Sequence, residues 1–332
     1  MSLKHYYEII AKDYYELGLK KGELFGDFLR ESVEFQKQEY PWNVKLLSRL
    51  EPYLKITKKI FPHLVEELQG YAEGAGVPFS DLWLLNLEDE LQETEIDKCT
   101  SIATNNGLLI AHNEDWDAES ELSICVLKKT IGSLTILELF YLNTLGGNSV
   151  SINSHGYVQT INTLTHADKQ IGVPRNIIAR WLSETQSPED DYYKLANIKR
   201  SSGYNHNIVS VNGTIWNIEC SAKKQNLTIP ECPFVHTNHF LTELCKLEKD
   251  DNSCGTFERF NYASSKVRKS MSLDELERFM SNTSEGRATS IFNEATIARM
   301  IINLERMIAY IWLLREKEKG WVEYGLDFIN GR

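Results

Sequence analysis

The chain has 332 residues, of which 42% are hydrophobic and 25% charged, and carries a formal net charge of −11. This is the make-up of a globular protein with one large domain or two modest ones. The acidic balance excludes an extended nucleic-acid footprint, since phosphate contacts need a basic surface, and no apolar run reaches the roughly 20 residues that span a bilayer. The opening "MSLKHYYEIIAKDYYELG" has no apolar core followed by a small-residue cleavage site, so no secretory leader is expected and the chain reads as cytoplasmic. Cys99, Cys125, Cys220, Cys232, Cys245 and Cys254 form no CxxC pair and read as reduced thiols, most of them packed as small hydrophobes.

In chain order, the first 95 or so residues read as helical. "HYYEIIAKDYYELGLKKGELFGDFLRESVEFQKQ" has apolar residues at helical spacing, with breaks expected at Gly18 and Gly22. "FPHLVEELQGYAEGAG" sets Leu64, Leu68, Tyr71 and Ala75 on one face and stops at a glycine. After Pro78, Ser80 is a natural N-cap for "DLWLLNLEDEL". From Cys99 the pattern changes to strands and tight turns. Hairpins are expected around Asn106-Gly107, His155-Gly156 and Asn212-Gly213. Helices return at "PRNIIARWLSETQS" and "SLDELERFMSN", and "ATIARMIINLERMIAYIWLL" reads as two closing strands meeting near residues 303–306. Helices first, then hairpins interrupted by helices, imply antiparallel sheets with helices on their faces: α+β, in one domain of residues 1–332.

The chemistry concentrates in "DKCTSIATNNGLLIAHNEDWD". A two-residue turn at Asn106-Gly107 sets Cys99 opposite Glu114, and a three-residue loop sets it opposite Asn113. Directly opposed residues lie about 5 Å apart at Cβ, so Asn113, Glu114 and Asp115 are expected near the sulfur. Carboxylates raise a thiol's pKa, so a reactive Cys99 needs a separate base or a positive charge. If the bond before Cys99 were cut, its own α-amine, with a pKa of about 7.7–8.0, would serve. The plain alternative is a packing cysteine beside a solvated acidic loop.

"CTSIATNNGLLIAHNEDW" resembles the autoprocessed nucleophile region of the penicillin acyltransferase family, the acyl-coenzyme A:6-aminopenicillanic acid acyltransferase and its relatives. These are N-terminal-nucleophile hydrolases with Cys-Thr at the new N-terminus, here Cys99-Thr100, and a returning Asn-x-Asp, here Asn113 and Asp115. "GYAEGAGVPFSDLWLLNLEDEL", "SVSINSHGYVQTINTL", "GVPRNIIARWLSE", "HTNHF" and "GTFERFNYA" are similar to further family segments in the same order, over about residues 15–325. The resemblance implies an αββα sandwich of two antiparallel sheets between helical layers. It implies Cys99 as nucleophile, Asp115 as the acid that assists processing and orients the amine, Asn238 as an oxyanion donor and Arg259 as a site-organising cation. Asn153, before its turn, and Thr256, where serine is commoner, are secondary candidates. Lys98 stands where the penicillin enzyme has glycine.

The implied activity is an autoprocessing amidohydrolase that cuts at Lys98-Cys99 into residues 1–98 and 99–332. It then cleaves a linear amide C–N bond through an acyl-thioester. An acyltransferase acting on a thioester or amide, and an uncleaved, non-catalytic binding protein, are the alternatives. No cofactor or metal is required. The partners expected are a small-molecule amide or acyl-thioester, no nucleic acid and no membrane, with a homodimer as the default assembly. Two further readings remain: zinc on Cys232, His236, His239 and Cys245, and a Cys–His thiol hydrolase with His112 as base. Tyr141, Trp181, Tyr204 and Trp216 are candidates for a pocket wall, or for core.

Overall fold

The computed structural model describes residues 3–39, 44–91, 99–248, 255–286 and 290–329. It opens not on a helix but on β1 (Tyr6–Ala11), where period-two burial replaces the helical reading: Ile9 and Ala11 are buried while Ile10 is exposed. This aromatic and β-branched run gains a partner from the far side of Cys99, and that pairing outweighs its helical spacing.

The helices α1 (Tyr14–Glu39), α2 (Val44–Ile60), α3 (Pro62–Ala75), α4 (Phe79–Leu85) and α5 (Glu88–Leu91) follow. Gly18 and Gly22 do not break α1. A Cβ on Gly18 would sit 1.9 Å from the Glu67 carbonyl oxygen, and one on Gly70 would sit 2.1 Å from that of Tyr15. The glycines are therefore the seam along which α1 and α3 pack backbone to backbone, a closeness that any side chain there would abolish. The expected face of α3 is buried as read, and Gly76 caps the helix in the left-handed region with φ of 67°. Ser80, by contrast, lies inside α4, which starts one residue earlier behind Pro78 because proline's fixed φ suits a helix entry.

Beyond Cys99 come β2 (Thr100–Thr104), β3 (Leu109–Asp115), β4 (Ile124–Ile131), β5 (Leu134–Tyr141), β6 (Val150–Asn153) and β7 (Tyr157–Thr163). Next are α6 (Arg175–Leu182), α7 (Pro188–Leu195), β8 (Tyr204–Ser210), β9 (Ile215–Cys220), β10 (Gln225–Thr228) and β11 (Phe234–His236). The chain closes with α8 (Thr256–Lys266), α9 (Leu273–Met280), β12 (Thr296–Asn303), β13 (Ile308–Leu313) and β14 (Val322–Gly325). All three expected hairpins form, as do both expected late helices and the closing strand pair. The β4–β5 hairpin and β14 were not expected; lysines in the middle of "ICVLKKTIGSLTILELFY" hide the first.

One sheet has eight strands in the order β1-β4-β5-β6-β7-β8-β9-β10, and the other six in the order β11-β2-β3-β12-β13-β14. Every pairing is antiparallel except β1 with β4, which is parallel. Three apolar layers define the stacking. Leu17, Leu29, Leu64 and Leu68 of the helices meet Leu127, Phe140 and Ile208 on one face of the larger sheet. Val126, Leu139, Val158 and Val209 meet Ala103, Ile110 and Met300 between the sheets. Ile102, Ala111 and Ile301 meet Ala263, Leu276 and Met280 on the outer face of the smaller sheet. The order is helix, sheet, sheet, helix, as expected for an α+β sandwich. The hairpin tips of the two sheets also touch: a Cβ on Gly107 would lie 2.2 Å from the Gly213 carbonyl oxygen.

Candidate active site

Cys99 is placed by the β2–β3 hairpin. Asn105, Asn106 and Gly107 all have positive φ (54°, 55° and 79°), the twist that a tight hairpin needs. Thr104 pairs with Leu109 and Thr100 with Asn113, so the same register sets Cys99 across from Glu114. This is the two-residue register. Because side chains alternate along a strand, Cys99, Ser101, His112 and Glu114 point into the space between the sheets. Asn113 and Asp115 do not share that face. Their expected closeness to the sulfur is corrected by the alternation: Asn113 Nδ2 instead donates to the Met280 and Ile291 carbonyls at 3.0 and 2.9 Å. Thr100 is buried on the same outer face.

Around the sulfur the polar groups are closely connected. Cys99 Sγ, a His112 ring nitrogen and a Glu114 carboxylate oxygen lie within 4.8 Å of one another. His112 Nε2 is 2.9 Å from Glu114 Oε2, and Nδ1 is 3.0 Å from Ser101 Oγ. Both ring nitrogens are thus engaged away from the thiol. Glu114 also accepts from Tyr141 Oη at 2.8 Å and from Ser149 Oγ. Asn162 on β7 donates from Nδ2 to the Cys99 carbonyl at 3.1 Å, while its Oδ1 accepts from Asn207 Nδ2 at 3.0 Å. Asn162 was not anticipated. The signal available was polar residues at inward positions of buried strands, in "TINT" and "YNHN", where an apolar side chain would be ordinary.

These groups open on a cavity of about 110 Å³ lined by Cys99, Glu114, Trp116, Tyr141, Thr163 and Tyr204, among others. Tyr141 and Tyr204 are therefore wall residues, as one reading of the sequence had it. Trp181 and Trp216 are not: Trp181 packs on Phe61 at 5.3 Å between ring centroids, and Trp216 packs on Tyr157 at 6.2 Å.

A second cluster lies behind the cavity wall. Asn238 donates from Nδ2 to the Thr163 carbonyl at 3.2 Å, and its Oδ1 accepts from Arg259 Nη2 at 2.8 Å. Thr256 Oγ1 accepts from the Asn238 backbone N–H at 2.8 Å and so fixes the loop that carries it. Glu219 holds the other end of this loop through the Leu241 and Thr242 N–H groups at 2.5 and 3.1 Å. Asp115 is buried beside this group. Burial raises its carboxyl pKa to about 6, opposed by the Arg259 charge and by hydrogen bonds from Thr296 and Asn293, while Glu114 adds to the rise. Its Oδ2 accepts from Asn293 Nδ2 at 2.8 Å, and its Oδ1 has no hydrogen-bond partner among the described residues.

Asn153 lies outside both clusters. It caps its own hairpin through the His155 and Tyr157 N–H groups and ties down the Ser183 and Thr185 carbonyls. Lys98 lies outside the described residues. The zinc reading is not met: Cys232, His236, His239 and Cys245 form no ligand cluster among the described residues. The His236 nitrogens are taken by Glu219 and by the Thr237 carbonyl.

The model of the family described as acyl-coenzyme A:6-aminopenicillanic acid acyl-transferase matches residues 102–317. The chain belongs to this family. The resemblance drawn from the Cys99 hairpin and the segments that follow it is borne out at that level. Among relatives of this acyltransferase family, a beta-alanyl-dopamine/carcinine hydrolase from Drosophila melanogaster is 26% identical over 282 residues, covering 71% of each chain. The 40 kDa form of acyl-coenzyme A:6-aminopenicillanic-acid-acyltransferase from Emericella nidulans is 29% identical over 160 residues, which cover 46% of this chain and 43% of that one. Among solved structures, a conjugated bile acid hydrolase from Clostridium perfringens aligns with a TM-score of 0.47 at 13% identity, covering 70% of this chain and 93% of that one. Penicillin V acylase from Agrobacterium tumefaciens aligns with a TM-score of 0.41 at 12% identity, covering 65% and 83%. No described helix is long and apolar enough to cross a membrane.

Proposed function

We propose that this chain is an N-terminal-cysteine amidohydrolase that first cuts its own Lys98–Cys99 bond. The observation that carries the reading is a thiol on the cavity wall whose neighbouring histidine already has both nitrogens engaged. A base must come from elsewhere, and the α-amine released by cleavage stands on the same residue. This argues against the Cys–His hydrolase with His112 as base. The Drosophila relative, a hydrolase by name and aligned over most of both chains, favours hydrolysis over transfer.

In the processing phase, Cys99 Sγ attacks the Lys98 carbonyl carbon and the C–N bond breaks, leaving a thioester and a free amine. Water then resolves the thioester to a carboxylate. Fragments 1–98 and 99–332 remain one domain, because β1 is hydrogen-bonded to β4 across the cut. In turnover the neutral amine takes the thiol proton and the sulfur attacks the substrate carbonyl. The oxyanion is held by the second Asn238 N–H and by backbone donors. The ammonium returns its proton to the departing amine, and water releases the acyl group as an acid. Asn162 anchors the Cys99 carbonyl throughout. No disulfide joins the described cysteines, which fits a reducing, cytoplasmic setting.

Incubation with an N-acyl amine and a second, labelled amine tests the reaction type. Free acid accumulating whether or not the label is present is expected; acyl transfer to the label as the main product would make this an acyltransferase.

Asp115 gives a pH test. With its carboxyl pKa raised from 3.8 to about 6, the folded chain binds more protons than the unfolded chain between these values. Stability therefore falls as pH rises through this window, by on the order of 2–3 kcal/mol, and stays lower above it. In a Cys99→Ala background, which keeps the chain whole, adding Asp115→Asn should raise Tm at pH 8, with the gain shrinking below pH 6. A lower Tm at pH 8 would show that the carboxylate is stabilised where it stands.

A further inference from the structure

We infer that Cys99, His112 and Glu114 form a site for one zinc ion, or another thiophilic divalent cation, which blocks the enzyme reversibly by taking its nucleophile. The inference rests on the Cys99 amidohydrolase reading, because the α-amine freed by cleavage supplies the fourth ligand.

Thiolate sulfur, imidazole nitrogen and carboxylate oxygen are the donor types that zinc takes from proteins. Among the described residues they converge in one place: Cys99 Sγ, a ring nitrogen of His112 and a carboxylate oxygen of Glu114 lie within 4.8 Å of one another. All three residues are buried, and Cys99 and Glu114 line the cavity, which gives an ion a way in. Donors around a tetrahedral zinc stand roughly 3.3–3.6 Å apart, so shifts of about an ångström seat the ion.

Hydrogen-bond directions fix which nitrogen of His112 binds. The Cys99 carbonyl can only accept, so Asn162 meets it with Nδ2 at 3.1 Å and turns Oδ1 towards Ser101. Oδ1 also only accepts, so the Ser101 hydroxyl donates to it at 2.9 Å. Ser101 Oγ is then left to accept from His112 Nδ1–H at 3.0 Å. Nε2 faces Glu114 Oε2 at 2.9 Å, with one further proton between them. A histidine that donates from one nitrogen to an oxygen and offers the other is arranged as metal-ligating histidines are. Tyr141 Oη and Ser149 Oγ orient the carboxylate in the same manner.

Glu114 is fully partnered, so the ion enters by replacing protons. The proton between Nε2 and Oε2 leaves, the Cys99 thiol proton leaves, and the neutral α-amine adds no charge. One doubly charged cation takes the place of two protons, and the buried charge is unchanged. The amine and sulfur of an N-terminal Cys99 are two carbons apart, the spacing of a five-membered chelate ring. With both bound to the ion, neither nucleophile nor base is available to substrate.

Zinc titration of the cleaved wild-type enzyme tests the site. One ion per chain should bind with a Kd of about 1 μM or tighter, and the activity lost at that concentration should return with EDTA, while magnesium has no effect. Cobalt(II) should give a thiolate-to-cobalt charge-transfer band in the near ultraviolet, a readout that depends on no variant. His112→Gln and Glu114→Gln should each weaken zinc binding by about 100-fold, and Ser101→Ala, which removes the acceptor of Nδ1–H, by about 10-fold. Binding unchanged in His112→Gln or Glu114→Gln, cobalt without the thiolate band, or no binding below about 100 μM overturns the inference. Intact mass of the same sample keeps the two readings apart. An active chain that is uncleaved overturns the amidohydrolase reading and the fourth ligand with it, whereas a cleaved, active chain that binds no zinc overturns the site alone.

Discussion

Cys99→Ala should leave a single, uncleaved chain with no measurable amide hydrolysis, a loss on the order of 10⁴-fold or more. The magnitude follows from what the substitution removes. The sulfur is the attacking atom in both phases, and without the first phase the base for the second is never released. Among the described residues nothing nearby can substitute: Ser101 shares the face but is bonded to His112 and Asn162, and Cys125 is buried on the far side of the larger sheet with its thiol pKa pushed well above the ordinary range by burial. Cys99→Ser separates the phases, because a hydroxyl can still process slowly while turning over poorly. Intact mass and product release, measured on the same sample, check both variants. Cleavage persisting in the alanine variant would assign the cut to another protein.

Asn238→Ala should lower kcat by about 10²- to 10³-fold with little change in KM, the cost of one oxyanion donor at about 2.7–4 kcal/mol. Arg259 is what makes this assignment specific. Its guanidinium donates to Oδ1, so the amide can only present Nδ2 towards the cavity wall, where one N–H meets the Thr163 carbonyl. Asn238→Asp therefore makes a sharper control than alanine. It keeps Arg259 paired, yet presents oxygen where the donor stood and sets that oxygen against the Thr163 carbonyl, so activity should fall as far and stability should drop as well. Steady-state kinetics with thermal melts separates the two effects; an active aspartate variant would remove Asn238 from the oxyanion site.

Local turn chemistry made much of the site legible. Asn106-Gly107 permits the tight hairpin, and the register that follows from it puts Glu114 across from Cys99. Strand alternation then decides which neighbours share the sulfur's face, and it separates Glu114 from Asn113 and Asp115, which simple proximity had grouped together. What could not be read was set by contacts distant in sequence. The run at Tyr6–Ala11 has helical spacing but becomes a strand because β4 offers an edge. Gly18 and Gly22 look like helix breakers until α3 is brought against them. Asn153 and Asn162 stand nine positions apart in one hairpin and look equally suited to chemistry. Only the facing sheet shows that Asn162 reaches the Cys99 carbonyl while Asn153 caps a turn.

The most direct measurement is the mass of the active species. Protein purified without denaturant should resolve under denaturing conditions into two fragments, the larger beginning Cys-Thr-Ser, with hydrolytic rate proportional to the cleaved fraction during maturation. Full activity in a population whose Lys98–Cys99 bond is unbroken would contradict the account, because the thiol would then be working with a base other than its own amine.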